Sequence, residues 1–313
     1  MKFKLLVIGV VTASFAFGQE ESSGSDSSTV IENDNVSNVQ SYTPSKLLKK
    51  GQIDIQIFNN LYTQTANWTS ERKRVSRDRR DTYFRSFAQV LIGTSKSGRV
   101  NWGLDAVFSS VRVDFDPGSA SVKVLSFEES NKTRTAFSAI GPKIKFSPLK
   151  NHPDFSVQSA LWFPIANDSE SDVLNKPWLD WNRITSWTQF FYSQQLNSKW
   201  QLFYEVDLLA RFSLPASYYE NDIKKDDLLS TPISFFFNYF SNSKSTVYLM
   251  VQYAPTLGLS NNLSYNNDYF QGGIGGKYQL SKYLQVEALY TNFFLGKNSG
   301  AGRTYNIGLR YIR

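Results

Sequence analysis

Trp200-Gln201-Leu202-Phe203-Tyr204-Glu205-Val206-Asp207-Leu208-Leu209-Ala210-Arg211-Phe212-Ser213-Leu214 decides how this chain folds. The even positions Trp200, Leu202, Tyr204, Val206, Leu208, Ala210, Phe212 and Leu214 are apolar without interruption, while Gln201, Glu205, Asp207, Arg211 and Ser213 share the odd face with Phe203 and Leu209. Successive side chains of a strand point to opposite faces, so a period of two belongs to a strand; a helix would scatter both sets around its circumference. The stretch also exceeds the roughly 9–11 residues that a tilted strand needs to cross a bilayer.

Outward from this stretch the same alternation recurs near residues 52–66, 82–94, 99–114, 133–147, 154–167, 182–196, 231–241, 245–259, 269–280, 283–296 and 303–313, which makes twelve strands. Pro142, Pro164, Pro232 and Pro255 fall inside or at the start of four of them, where a missing N–H calls for a bulge or a late start. Ile57-Phe58 breaks the alternation of the first. The connections fall into two classes. Residues 95–98, 149–153, 197–199, 242–244 and 280–282 are short, whereas 69–81, 116–132, 168–181, 215–230, 260–268 and 297–302 are longer, and the classes alternate along the chain. A bacterial barrel has tight periplasmic turns and long outer loops, and with both ends on the short-turn side its strand count is even. A soluble sandwich also alternates its faces, but does not sort its loops by length. The expected fold is all-β: a transmembrane up-and-down antiparallel β-barrel of about twelve strands.

The N-terminal residues point to export. Met1-Lys2-Phe3-Lys4 is a short positive start, Leu5 to Phe17 is an apolar run of signal-peptide length, and Ala16-Phe17-Gly18 supplies small residues for cleavage before Gln19. The run is shorter than the roughly 20 apolar residues of a membrane-spanning helix. Residues 19–50 are rich in Ser, Asp, Glu and Asn and hold too few apolar groups to offset the entropy of ordering. The division expected is a signal peptide at 1–18, a disordered periplasmic tail at 19–50, ending in the basic Lys46-Leu47-Leu48-Lys49-Lys50, and a barrel at 51–313. The absence of cysteine excludes a lipid anchor on Cys and any disulfide. The net charge of +7 in an exported chain points to anionic lipid or polysaccharide rather than nucleic acid.

Phe15-Ala16-Phe17-Gly18-Gln19, the pattern over 51–313 and the closing Tyr305-Asn306-Ile307-Gly308-Leu309-Arg310-Tyr311-Ile312-Arg313 together resemble outer-membrane β-barrel proteins of the Bacteroidota type. The resemblance is to a class, and it implies an outer-membrane location and insertion by the barrel-assembly machinery. The terminal strand departs from the usual aromatic ending, since Arg313 follows Ile312.

Face by face, Trp102, Leu104, Phe108, Val157, Leu161, Phe163, Leu202, Val206, Phe235, Phe237, Val247, Leu249, Val251, Val286, Ile307 and Leu309 are expected against lipid. Trp68, Tyr83, Trp162, Trp181, Trp200, Tyr283 and Tyr311, near strand ends, are expected in head-group girdles. Asp54, Arg85, Asp105, Lys143, Lys145, Arg183, Glu205, Asp207, Arg211, Lys277, Glu287 and Arg310 are expected in the lumen, because Arg or Lys facing lipid at mid-depth costs about 2–4 kcal/mol. Closure of the sheet sets the last strand beside the first, which would bring Arg310 near Asp54. These lumen charges have two readings, a salt-bridged filling or the wall of a wet pore. Lys143, Lys145, Arg183, Glu205, Asp207 and Arg211 are the candidate solute contacts.

Glu71-Arg72-Lys73-Arg74-Val75-Ser76-Arg77-Asp78-Arg79-Arg80-Asp81, on this topology the first outer loop, makes Arg72, Arg74, Arg77, Arg79 and Arg80 candidates for lipopolysaccharide phosphates; a solvated loop is the plain alternative. Gln271-Gly272-Gly273-Ile274-Gly275-Gly276 precedes no helix and marks a bend or close packing, not a nucleotide loop. Catalysis is not expected. The lone histidine, His152, lies in a predicted turn, leaving a serine without a base at the membrane wall. No cofactor or metal motif occurs. Two functions follow: a narrow passive channel for small polar solutes, or a noncatalytic subunit of a larger outer-membrane assembly that binds a partner through residues 19–50.

Overall fold

A computed structural model describes residues 44–166, 177–179, 182–215, 226–259 and 267–313. The expected signal peptide, most of the expected tail and Trp181 lie outside the described residues. The strands are β1 (Ile53–Trp68), β2 (Arg74–Gly93), β3 (Val100–Asp114), β4 (Thr133–Phe146), β5 (Phe155–Pro164), β6 (Arg183–Gln195), β7 (Trp200–Ser213), β8 (Leu228–Ser230), β9 (Ile233–Phe240), β10 (Ser245–Gly258), β11 (Asn267–Gln279), β12 (Leu284–Lys297) and β13 (Ser299–Ile312). Each pairs antiparallel with its neighbours, and β13 pairs with β1, so the sheet has no free edge. β8 and β9 occupy one position between β7 and β10, which gives a closed barrel of 12 strands.

Closure is what lets strands sit in hydrocarbon, where every backbone N–H and C=O needs a partner. At the seam Ile53 and Arg313 exchange both backbone hydrogen bonds, at 2.7 and 2.9 Å. The division of β8 from β9 has a covalent cause. Pro232 has no N–H to give, so its carbonyl accepts from Asp207 N–H at 2.9 Å while Thr231 N–H donates to Pro255 at 3.0 Å. Pro142 sits where β4 skips pairing with β5, between Ile140 and Lys143.

At one end of the barrel the turns are tight and held by their own side chains. Asn197 Oδ1 accepts from the N–H groups of Lys199 (2.9 Å) and Trp200 (3.1 Å), and Asn242 Oδ1 from Lys244 N–H (2.8 Å), the Asx turns that Asn-Ser-Lys encodes. At the other end four connections are long. Two are shorter than the sequence reading placed them. β2 begins at Arg74, so most of 69–81 is hairpin rather than loop, with Trp68 opposite Arg74; β13 begins at Ser299, leaving only Asn298, at φ 50°, between it and β12.

Register places all twelve named charges on the inward face. Leu104, Val206, Leu249 and Ile307 face outward and are 50, 38, 56 and 58 % exposed. The girdle expectation needs two corrections. Tyr83 shares its face with Arg85 and Gln89, and Trp162 shares its face with Gln158 and Ala160, so both point into the lumen. Trp200, stacked on Phe237 at 4.7 Å, and the pair Tyr283–Tyr311 at 6.1 Å lie on the outer face near the tight-turn end.

Candidate functional site

The lumen holds a vestibule, an inner chamber and, beside the inner chamber, a smaller cavity of about 200 Å³ walled by Phe203, Phe236 and Tyr248. Towards the loop end lies a vestibule of about 1090 Å³. Its wall carries Tyr62, Tyr83, Tyr269 and Phe293, with ring centroids 4.6–5.9 Å apart along the series, together with Arg79, Asp81, Arg85 and Arg211. Part of the β5–β6 connection folds inward here. Leu179 is fully buried against Val107, Val111 and Trp162, and Pro177 and Trp178 line the cavity.

Below it the lumen narrows at an aromatic floor. Phe87, Trp162 and Trp187 meet with centroids 5.3–6.4 Å apart. The sequence reading places Trp162 in a head-group girdle and assigns no face to Phe87 and Trp187. The available signal was parity with the charges, visible already in Phe203 and Leu209 beside Glu205 and Asp207. A barrel of this size is narrow enough for inward side chains to reach one another across it.

The inner chamber, about 300 Å³, is lined by four cations (Lys143, Lys145, Lys277, Arg310), four anions (Asp54, Asp105, Glu205, Glu287) and five glutamines (Gln56, Gln89, Gln158, Gln189, Gln285). Three cations have carboxylate partners. Lys143 pairs with Asp105 at 2.8 Å, both side chains 4 % exposed, and donates to Gln89 at 2.6 Å; Trp162 Nε1–H donates to the same carboxylate at 2.9 Å. Arg310 holds Asp54 at 2.7 and 3.1 Å, the cross-seam pair expected from closure. Lys277 lies 3.5 Å from Glu287, which accepts from Tyr248 Oη–H at 2.5 Å. Glu205 accepts from Gln189 at 2.8 Å. Lys145 is answered by backbone: its ammonium donates to the carbonyls of Pro44 and, at 2.7 Å, Lys46.

Gly275 shows what the glycine cluster does. A Cβ there would stand 2.4 Å from Cζ of Tyr248, so the absent side chain is the slot across which the phenol reaches Glu287 on the next strand.

Of the six candidate solute contacts, Lys143, Lys145 and Glu205 line the inner chamber, Arg211 lines the vestibule, Asp207 is buried opposite Gln189, and Arg183 is buried at the loop end of β6. The five arginines of the first hairpin are largely engaged. Arg72 pairs with Asp268 at 2.6 Å, Arg77 and Arg79 flank Asp81, and Arg80 donates to Thr63 and to the carbonyl of Pro117. Arg74 has no ion-pair partner among the described residues. His152 is exposed in the β4–β5 turn, its backbone N–H bonded to Leu149 and its carbonyl to Phe155.

No family model matches the chain, and no curated protein matches it. Among solved structures it is similar to an outer-membrane channel from Pseudomonas putida F1, at 11 % identity over 86 % of this chain and 98 % of that one, with a TM-score of 0.64. It is also similar to the β domain of the Bordetella autotransporter Brka, at 11 % identity over 84 and 99 % of the two chains, with a TM-score of 0.53. At such identity the likeness is one of fold, the closed barrel of Gram-negative outer membranes.

Proposed function

We propose that the protein is an exported outer-membrane barrel of the Bacteroidota type, leaving its signal peptide at Gln19, that works as a narrow passive channel for small polar solutes. In this orientation the tight-turn end faces the periplasm and the vestibule opens outward. The observation that carries the reading is the stacking of two polar-lined chambers along one closed wall: about 1090 Å³ above and about 300 Å³ below, with the twelve charges named from the sequence turned inward. A lumen that was mere filling would not keep the larger chamber. Arg79, Arg85 and Arg211 around the vestibule favour anionic solutes, and of the sequence candidates Arg211 is the best placed to meet one. Lys143 serves the wall.

The test is conductance of the refolded, full-length mature protein in planar bilayers. Ohmic openings with anion preference are the expected result; persistent silence under all gating conditions would overturn the channel. The second reading, a barrel subunit that binds a partner through residues 19–50 and carries no solute, is favoured by one observation: the tight-turn mouth is crossed by residues 44–48. Silence with a co-purifying partner lost on deleting 19–50 would support it. Lipopolysaccharide contact by the first hairpin remains proposed, now centred on Arg74.

A further inference from the structure

The last residues counted with the tail form a strap across the tight-turn mouth of the barrel. Four elements hold it. Over the end of β2 it passes close enough that a Cβ on Gly93 would meet the Lys49 carbonyl oxygen at 2.0 Å. On β3 the fully buried Asn101 grips Leu48 at both backbone groups, Oδ1 accepting from N–H at 3.0 Å and Nδ2 donating to the carbonyl at 3.1 Å. On β4 Lys145 donates to the carbonyls of Pro44 and Lys46. On β6 the hydroxyl of Ser193 meets that of Ser45 at 2.6 Å, and Lys46 pairs at 2.6 Å with Asp154 in the β4–β5 turn. Pro44 then stands beside Phe58, Glu205 and Lys277 as a wall of both inner cavities. These anchors run from β2 to β6 of a 12-strand barrel, and Pro44 at the end of the strap shares its cavities with residues of β1, β7 and β11, so the strap reaches inward from the rim over the lumen.

We infer that residues 44–48 are a releasable stopper for the inner mouth, which rests on the channel reading above. Its anchors are hydrogen bonds and one half-exposed ion pair, which water or a competing chain can replace, and Leu48 packs against Leu91 and Ile312. Gly51, at φ 84°, supplies the hinge between strap and β1. Release does two things at once: it clears the lower lumen, and it strips Lys145 of both carbonyl partners. The ammonium, set among three paired cations, then faces the passage. Opening and anion preference are therefore coupled through one side chain.

The chain contains no cysteine, so the full-length Ser45→Cys/Ser193→Cys variant can lock the strap. In planar bilayers its oxidised form is expected to open at least tenfold less often than its reduced form, while the wild type responds to neither treatment. Asn101→Ala is expected to raise open probability several-fold and move the reversal potential towards anions; adding Lys145→Met removes that move but keeps the openings. Heat-modifiable mobility in detergent gels checks that each variant is folded. Equal conductance of the verified cross-linked and reduced forms overturns the stopper and leaves the channel standing, as does failure of the folded pair to cross-link. Silence of wild type, reduced pair and Asn101→Ala alike overturns both.

Discussion

The vestibule and the inner chamber are walled by the same strands, yet they solve opposite problems. In the inner chamber the cations Lys143, Lys277 and Arg310 each have a carboxylate within 2.7–3.5 Å, the glutamines complete the hydrogen bonds, and aromatic rings occupy the space between. In the vestibule the inward guanidiniums and phenols border a cavity more than three times larger. The difference teaches that lumen charge alone does not mark a solute path. Where opposite charges meet at hydrogen-bond distance and are nearly inaccessible they hold the wall together, and where they line open volume they can act on a passing molecule.

The contrast breaks most visibly at Asp105. Its carboxylate serves both Lys143 and Trp162, and both ionic side chains are 4 % exposed. Removing one partner of such a pair leaves a buried charge unanswered, at a cost of about 3–5 kcal/mol. Asp105→Asn is therefore expected to lower the free energy of unfolding, read from urea titration in lipid vesicles, by an amount in that range, and Asp105→Asn/Lys143→Met to restore most of it. A single variant as stable as wild type would show that water reaches Lys143 and that the inner chamber is as open as the vestibule.

Packing separates the two chambers next. Gly275 and Gly300 both face inward with a close neighbour, but the neighbours differ. A methyl at 275 would strike the ring of Tyr248, which is 2 % exposed and tied to Glu287, whereas one at 300 would meet the polar ends of Gln64 and Tyr62, which hydrogen-bond each other beside the vestibule and can swing into its open volume. Gly275→Ala should cost about 1–3 kcal/mol, the range for overfilling a packed interior, and Gly300→Ala less than half of that. The same vesicle unfolding curves read both. Equal losses would mean that the vestibule wall is as rigid as the chamber below it.

How far these chambers could be foreseen depended on which side chains declare their face. A charge does so, because lipid forbids it, and the twelve inward charges were placed correctly, down to the Arg310–Asp54 contact at a seam 256 residues apart in sequence. Aromatic residues do not: Trp162 and Tyr83 suit a girdle and a lumen equally, and only their parity with Gln158 and Arg85 tells which. Nor does alternation identify every strand. Arg74 to Arg80 looks like a loop because its charges occupy both faces, yet Arg74 to Ser76 pair with β1, Arg80 pairs with Asp114 of β3, and the residues between form a bulge. The strap was least legible. Lys46 to Lys50 carries no pattern of its own, and what orders it is Asn101, Lys145 and Ser193, residues about 50 to 150 positions further along the chain whose match to it is visible only after closure.

The gentlest perturbation sharpens the comparison from the vestibule side. Arg79 is 43 % exposed and shares Asp81 with Arg77, which stays in contact with that carboxylate when Arg79 is removed. A partly exposed ion pair of this kind contributes at most about 1 kcal/mol, so Arg79→Ser should leave the unfolding midpoint nearly unchanged. It also deletes a positive charge from the mouth of the proposed channel, and charges at a pore mouth act on ions by bias rather than by binding. The expected readout is thus a reversal potential shifted towards cations across a salt gradient, largest at low ionic strength, where screening extends over roughly 30 Å at 0.01 M, and fading near 1 M, where it extends over about 3 Å. A shift that persisted unchanged in high salt would mean that Arg79 grips its ion directly; no shift at any salt would move selection away from the vestibule and into the chamber below.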